Sequence, residues 1–441
     1  MRNSIIIYTL LLIISILYGM TGCGNDGNSI TAGPTMTPTV HLILTATPDS
    51  LKKGPYLIYP GNNTSMTVMW QTDKVPGDMI IEWGNTTAYG NQAQYSSIQT
   101  NDPNDVNLYS YTISNLAPGT KTYYQVYIDG AKYPGSFMTA PGENESSLSF
   151  YAYGDTRDNP DYTEKPGPVY NNRVIGQLLK NMNSDNCQTF YLHAGDFVSS
   201  GMTESCWNDE YFNRSYSNTM EFLTEFPVLA CIGNHEMNGN SGAILFRKYF
   251  PYPMYNLNGD PNGFYYSYDY GPLHVSVIDN YNTSYKLNSP QYNWIAQDLA
   301  GSKKLWKIVI FHNPDWSAGP EDRSGELETC HSNDGNMHAY DSIFKKNNVR
   351  VVISGHNHYY ARCEVEGIQY FTLGGGGAGP QHVPEDPNDP NTPSYVIVSK
   401  EAYHFARFNI SGNIMTYRVI DDEGMQIDPD NGSAGVIKLN P

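Results

Sequence analysis

Val351-Val352-Ile353-Ser354-Gly355-His356-Asn357-His358-Tyr359-Tyr360 is the stretch from which the chain is most usefully read. Val351, Val352 and Ile353 make the short apolar run that a strand buried on both faces requires. Gly355 then allows the backbone to turn sharply as the strand ends. His356 and His358 follow, one residue apart, where both can face the crevice beyond the carboxyl end of an α/β sheet. Two imidazoles in that position suggest a metal. For this pair alone the alternative is one histidine that caps a turn and one that is solvated.

The surrounding chain repeats the pattern. The strand Ser149 to Tyr153 ends in Gly154-Asp155-Thr156-Arg157, and Thr189 to Leu192 leads to Gly195-Asp196-Phe197. Val228 to Ile232 ends in Gly233-Asn234-His235-Glu236, and Trp306 to Phe311 ends in His312. Carboxylates, an amide oxygen and imidazoles form a mixed oxygen and nitrogen set suited to Zn, Fe or Mn. Two such ions about 3.5–4 Å apart need a bridging anion, which an Asp provides, and together they clamp phosphoryl oxygens and activate a water. A neighbouring His can then protonate the leaving alkoxide.

Before this region, from Leu51 to about Ala140, the apolar period is two. Met66, Val68 and Trp70 alternate with polar residues, as do Met79, Ile81 and Trp83, and Tyr124, Val126 and Ile128. Pro76-Gly77, Pro118-Gly119 and Asp129-Gly130 separate the runs, which indicates an antiparallel β-sandwich with Trp70 and Trp83 in its core. Leu116-Ala117-Pro118-Gly119-Thr120 followed by Tyr123-Tyr124-Gln125-Val126 resembles the fibronectin type III pattern. After about Ser147 strands alternate with helices. Val174, Ile175, Leu178, Leu179 and Met182 have helical spacing, and Ser289-Pro290 and Gly301 bound a helix. Gly263 to Tyr270 and Leu273 to Asp279 read as a hairpin, so the sheet is mixed.

The ordered set Gly-Asp, Gly-Asp, Gly-Asn-His-Glu, His, Gly-His-x-His resembles the calcineurin-like metallophosphoesterase superfamily. With the preceding sandwich it is similar to the purple acid phosphatase branch, over roughly Leu51 to Asp421. The resemblance implies a four-layer α/β/β/α catalytic domain with mixed sheets and a binuclear centre of Fe, Zn or Mn. Asp155, Asp196 and His358 would hold the first metal, with Asp196 bridging, and Asn234, His312 and His356 would complete the second. His235 would bind substrate or act as general acid, and Glu236 would fix its ring.

The chain departs from that family at two positions. Ser199 stands where purple acid phosphatases carry a ligating Tyr, so no purple colour is expected. Arg157 stands where many other members carry a ligating His. Its guanidinium suits a substrate phosphate, or it forms a structural ion pair. His331 lies where relatives place substrate-contacting groups. His193 and His274 fall inside strands and read as core residues, and Gly374 to Gly377 lacks the Lys-Ser/Thr ending of a phosphate loop.

Composition sets the outer bounds. The chain has 441 residues, 39% hydrophobic and 16% charged, as a globular multidomain protein does. The net charge of −18 and the lack of a basic stripe argue against nucleic acid as partner. Residues 1–23 read as a lipoprotein-type signal: Arg2, an apolar run from Ile5 to Tyr18, then Met20-Thr21-Gly22-Cys23. A lipid on Cys23 would anchor an exported protein at a bacterial cell envelope, and a plain cleaved signal or uncleaved anchor is the alternative. Residues 24–50 form a flexible linker, 51–142 the sandwich, 147–421 the catalytic domain and 422–441 a C-terminal extension. Cys187, Cys206, Cys231, Cys330 and Cys363 contain no C-x-x-C, so thiolate metal sites are not expected.

The function expected is hydrolysis of a small phosphate ester by an exported, acid-phosphatase-like phosphomonoesterase. A phosphodiesterase or nucleotidase shares the same core and differs in loops such as Met202 to Tyr216 and Pro314 to His331. A surface binding protein with a vestigial metal site is the reading outside the enzyme class.

Overall fold

The computed structural model describes residues 50–439 apart from 95, 98–106, 158–167, 186, 238–242, 259–262, 322–333, 387–388 and 390–391. The expected signal, the lipidated Cys23 and the linker up to residue 49 lie outside the described residues, as do His331 and Cys330.

The sandwich forms as its alternation predicts. One sheet carries Leu51–Ile58, Met66–Thr72 and Leu108–Ile113, and the other carries Met79–Gly84, Lys121–Ile128 and Ala131–Met138. Val68, Trp70, Ile81, Tyr124 and Val126 are fully buried between them, and Trp83 packs at the margin. The first sheet does not stop at the sandwich. Leu51–Ile58 pairs in parallel with Val228–Ala230, bringing Ile58 opposite Val228. The result is an 11-stranded sheet shared by the sandwich and the α/β region.

Lys53 fastens this junction. Its ammonium is fully buried, donates to Gln71 Oε1 at 2.7 Å and Glu204 Oε1 at 2.5 Å, and lies 4.7 Å from the Tyr249 ring centroid. Lys52 and Lys248 reach the same Glu204 carboxylate at 3.0 and 3.6 Å, and the Tyr249 hydroxyl donates to it. Burial outweighs Glu204 and lowers the Lys53 pKa to about 8.

In the α/β half, Ser147–Tyr153, Tyr191–His193 and Val228–Ala230 run parallel, and His404–Ser411 continues the sheet on the far side of Ser147–Tyr153. A second, seven-stranded sheet contains the hairpin Tyr266–Tyr270 and Leu273–Val277, then Trp306–Ile310, Val351–Ser354 and Ile368–Leu373 in parallel. Strand alternation decides what packs where. Phe150 and Phe408 stack at 5.0 Å and Phe408 meets Phe371 of the second sheet, so their face forms the layer between the sheets. Tyr151 and Tyr153 point the other way, onto Phe226 and Phe222 at and beside the helix Ser217–Glu225. The helix Pro290–Gly301, capped by the Ser289 hydroxyl, covers the outer face of the second sheet with Asp341–Lys346. Helix, sheet, sheet and helix make the four expected layers.

Two expectations need correction. Met202 to Tyr216 is not an open loop: Glu204–Cys206 and Trp207–Tyr211 are helical, and Trp207, Tyr211 and Phe212 are buried against Tyr249 and Phe250. The expected C-terminal extension, described over residues 422–439, joins the first sheet. Gln426–Asp428 and Gly435–Lys438 both pair with Ile414–Asp421, and Asp428 accepts from Arg362 Nε at 2.7 Å. Among the described cysteines, Cys187, Cys206, Cys231 and Cys363 are free thiols, and Cys231 and Cys363 are buried.

Candidate metal centre

All the strand ends singled out in the sequence arrive at one edge, where the two sheets meet. Asp155, Asp196 and Asn234 come from the first sheet, and His312, His356 and His358 from the second. Backbone hydrogen bonds tie the loops to one another: Asp155 N to Gly195 O at 2.9 Å, Gly355 N to His312 O at 2.9 Å, and Gly376 N to Gly154 O at 2.9 Å.

The glycines serve close approach. A Cβ on Gly233 would lie 2.2 Å from Asp196 Oδ1, and one on Gly355 2.4 Å from Asp155 Oδ2. The expected reason for Gly355 therefore changes. The left-handed turn falls on the next residue, His356, at φ 67°, and Asp155 and Asp196 are left-handed too, at 58° and 57°. Three non-glycine residues in that region are costly, about 1–3 kcal/mol each, and persist only where the surroundings enforce them. The run Gly374 to Gly377 packs backbone to backbone beneath Asp155.

Asp196, His312 and His356 place one ligand atom each within 4.8 Å of one another. His312 Nε2 is 3.3 Å from Asp196 Oδ1 and 3.1 Å from Asn234 Oδ1, and His356 Nδ1 is 3.0 Å from the same Asn234 oxygen. Such spacings suit neighbouring donors on one ion with bonds of about 2.1 Å. His312 Nδ1 donates to Ala194 O at 2.6 Å, which fixes the tautomer and leaves Nε2 as the donor atom. This half of the centre fits a metal.

The other half is arranged differently. His358 Nδ1 donates to Gly379 O at 3.1 Å, so its Nε2 lone pair faces Asp155 Oδ1 at 3.6 Å. Asp155 in turn accepts from His356 N at 3.1 and 2.9 Å. Arg157 enters between these groups, with Nη2 3.4 Å from His358 Nε2 and Nε 3.9 Å from Asp196 Oδ2. As arranged, the space carries a guanidinium and does not fit an ion.

The electrostatics follow from burial around this charge. Burial pushes Asp155 well above the usual carboxylate range, against the pull of His312 and Arg157. Asp196 is equally buried, but His312 outweighs the burial and holds it well below that range. His312 rises to about 9 because Asp196 and Asp155 overcome its own burial. Burial, then Arg157, keeps His358 neutral by lowering it well below its ordinary value.

His235 stands beside the pocket, its side chain 24% exposed, with Nε2 3.8 Å from Asp196 Oδ2 and its backbone N–H donating to Asp196 Oδ1 at 2.9 Å. Glu236 does not fix that ring. Its buried carboxylate accepts backbone N–H groups from Asp196, Phe197 and Gly233, all at 2.9 Å, and so braces the loop that carries Asp196. The ring is held by Ser199, whose carbonyl accepts from His235 Nδ1 at 2.7 Å. The Ser199 hydroxyl donates to Glu210.

Tyr281 is the residue that sequence reasoning missed. Its hydroxyl lies 3.4 Å from His356 Nδ1, and its ring centroid 5.6 Å from that of His312. It follows the strand Leu273–Val277, which ends at the same edge as the others, and that was the available signal. His193 and His274 are satisfied as expected, by Thr156 and by Asp269 and Asp298.

A mixed carboxylate, amide and imidazole cluster where two facing sheets meet is the arrangement a metallophosphoesterase requires. The chain belongs to the calcineurin-like phosphoesterase family, whose model matches residues 132–360, more than half of its length. Residues 53–140 match the purple acid phosphatase N-terminal domain. The chain is 26% identical over 335 residues to purple acid phosphatase 21 of Arabidopsis thaliana, covering 71% of this chain and 68% of that protein. It is 23% identical over 344 residues to human acid phosphatase type 7, covering 71% of each. The fold is that of purple acid phosphatase PPD1 from yellow lupin (Lupinus luteus) seeds, with a TM-score of 0.69 at 17% identity over 88% of this chain and 74% of that one. The family implies a two-metal site, and the His/Asp cluster is its candidate here.

Proposed function

We propose that the chain is a phosphomonoesterase of the acid-phosphatase type, exported and held at a bacterial cell envelope by a lipid on Cys23. The observation that carries the catalytic part is His235 beside the Asp196, Asn234, His312 and His356 pocket, on a loop fixed by its own backbone contact to Asp196. A metal bound there supplies Lewis-acid polarisation of a phosphoryl oxygen and a water acidified enough to work near neutral pH. The protein's residues do the rest. Asn234, His312 and His356 hold their donor atoms in place through the loop contacts described above. With Nδ1–H committed to Ser199 O, a protonated His235 has only its Nε2–H to give, and that proton goes to the departing alkoxide oxygen. The apolar signal ahead of Cys23 supports the export reading.

The test is a rate comparison on protein loaded with Mn, Zn or Fe, using an aryl phosphate monoester against the matching diester. Asp196→Asn serves as the blank and should lose turnover and metal together. A diester preference would transfer the reading to a phosphodiesterase. Absence of turnover above the blank with every metal would overturn the enzymatic reading. Labelling with a radioactive fatty acid, lost in Cys23→Ser, tests the anchor; equal labelling of both would refute it.

A further inference from the structure

We propose that the Arg157 guanidinium is the resident cation of the position formed by Asp155, Asp196 and His358, so that the centre holds a single metal ion. That ion sits in the pocket of Asp196, Asn234, His312 and His356. The inference rests on the metal-centre reading above, but not on any choice of substrate.

The geometry is specific. His358 presents Nε2 to this position because its other nitrogen is committed to Gly379 O. That nitrogen is the atom a metal would take, and Arg157 Nη2 lies 3.4 Å from it. A guanidinium donates hydrogen bonds and accepts none, so its approach to an imidazole lone pair is favourable only while no ion occupies that lone pair. Arg157 Nε faces Asp196 Oδ2 at 3.9 Å, whereas His312 approaches the other oxygen, Oδ1, at 3.3 Å. The Asp196 carboxylate is thus divided between the metal pocket on one side and the guanidinium on the other. The arrangement keeps the bridging geometry but replaces one of the bridged cations with an arginine.

Two further features agree. Asp155 is bound through both oxygens by the His356 backbone N–H, which reduces what it can offer an ion. Ser199, on the same loop as Asp196, turns its hydroxyl to Glu210 and supplies no ligand. Among the described residues, an ion placed here would have Asp155, Asp196 and His358 as donors and a guanidinium at hydrogen-bond distance repelling it.

The experiment counts metal rather than turnover. Protein saturated with Mn2+ and freed of loose ion by gel filtration should hold about one ion per chain by elemental analysis. Its electron paramagnetic resonance spectrum should be that of an isolated Mn2+. Arg157→His and Arg157→Ala should each rise to about two ions per chain, with the exchange-coupled spectrum of a close pair. Thermal melting of both variants establishes that they are folded. Two coupled ions in the unaltered protein would overturn the proposal. One ion in the protein and in both folded variants would overturn it as well, since Arg157 would then not be what excludes the second. Failure of the phosphomonoesterase reading would appear in the substrate assay and leave these counts unchanged.

Discussion

The imidazole of His235 is anchored to the backbone of Ser199, with Nδ1 2.7 Å from the carbonyl oxygen, and Ser199 is itself held by Glu210 through its N–H at 2.7 Å and through its hydroxyl. The ring can therefore neither flip nor exchange tautomers freely, and Nε2 is kept on the side of Asp196. His235→Ala should retain its metal content while kcat falls by about 10²–10⁴-fold. The loss should be larger for alkyl phosphates than for p-nitrophenyl phosphate, whose leaving group needs no proton. Equal losses on both substrates would exclude proton donation and leave His235 a binding role.

Gly355 offers a test of the loop packing. An added methyl would lie 2.4 Å from Asp155 Oδ2 and 2.8 Å from Ala194 O, both fixed parts of the centre. Gly355→Ala should cost about 1–3 kcal/mol of stability and weaken metal binding. Gly301→Ala, where nothing lies within 4 Å of the new carbon, is the control and should leave both unchanged. An unaltered Tm and metal affinity in Gly355→Ala would mean that the loops have slack the structure does not show.

His274 makes stability depend on alkaline pH. It lies between Asp269 at 2.8 Å and Asp298 at 3.0 Å. Burial opposes its charge, but the hydrogen bonds to the two carboxylates prevail and raise its pKa from 6.5 to about 9. A raised folded pKa stabilises fully below the unfolded value and ceases to do so as pH climbs through the folded one. The contribution is on the order of 2 kcal/mol, reduced because Asp269 is half exposed. Urea melts of the protein and of His274→Gln should differ most near pH 6 and converge above pH 9. Parallel curves across that range would refute the charged sandwich.

Glu204 is expected to matter more for stability than its partial exposure suggests. Removing it leaves the Lys53 ammonium buried beside Gln71 without its counter-ion. Glu204→Ala should cost about 3 kcal/mol, the low end for breaking a buried pair. Lys53→Met in the same background should recover much of that loss. No recovery would mean that Lys52 and Lys248, not Lys53, are the partners that count.

The centre was legible in the sequence because each strand ends abruptly in residues that no packing argument requires. An apolar run, a glycine and then Asp, Asn or His is a local signal; four such ends, and the strand that runs directly into His312, converge as read. Helix Pro290–Gly301 was legible for the same local reason, through Ser289, Pro290 and Gly301. What escaped the reading depends on contacts between distant residues. Glu236 looked like a partner for its neighbour His235, yet its hydrogen bonds run to residues 196 and 197. Met202 to Tyr216 looked like a loop because its Asn, Ser and Arg residues dilute the aromatics, although Trp207 and Tyr211 are core. Tyr281 was one of 36 tyrosines, and composition alone gave no reason to choose it. Whether Arg157 faces outward to a substrate or inward to His358 is a matter of side-chain direction, which spacing does not encode.

The pairing of Ile58 with Val228 also bears on how the protein can be taken apart. Val228–Ala230 has Tyr191–His193 on one side and the first sandwich strand on the other. Cutting the chain between the two halves would bare a flat apolar strand, with unsatisfied N–H and C=O groups, two residues from the loop that bears Asn234. Such an edge recruits other chains. A truncated catalytic fragment should therefore precipitate or pair with itself, however intact its metal ligands, and the sandwich is best regarded as the lid on that edge.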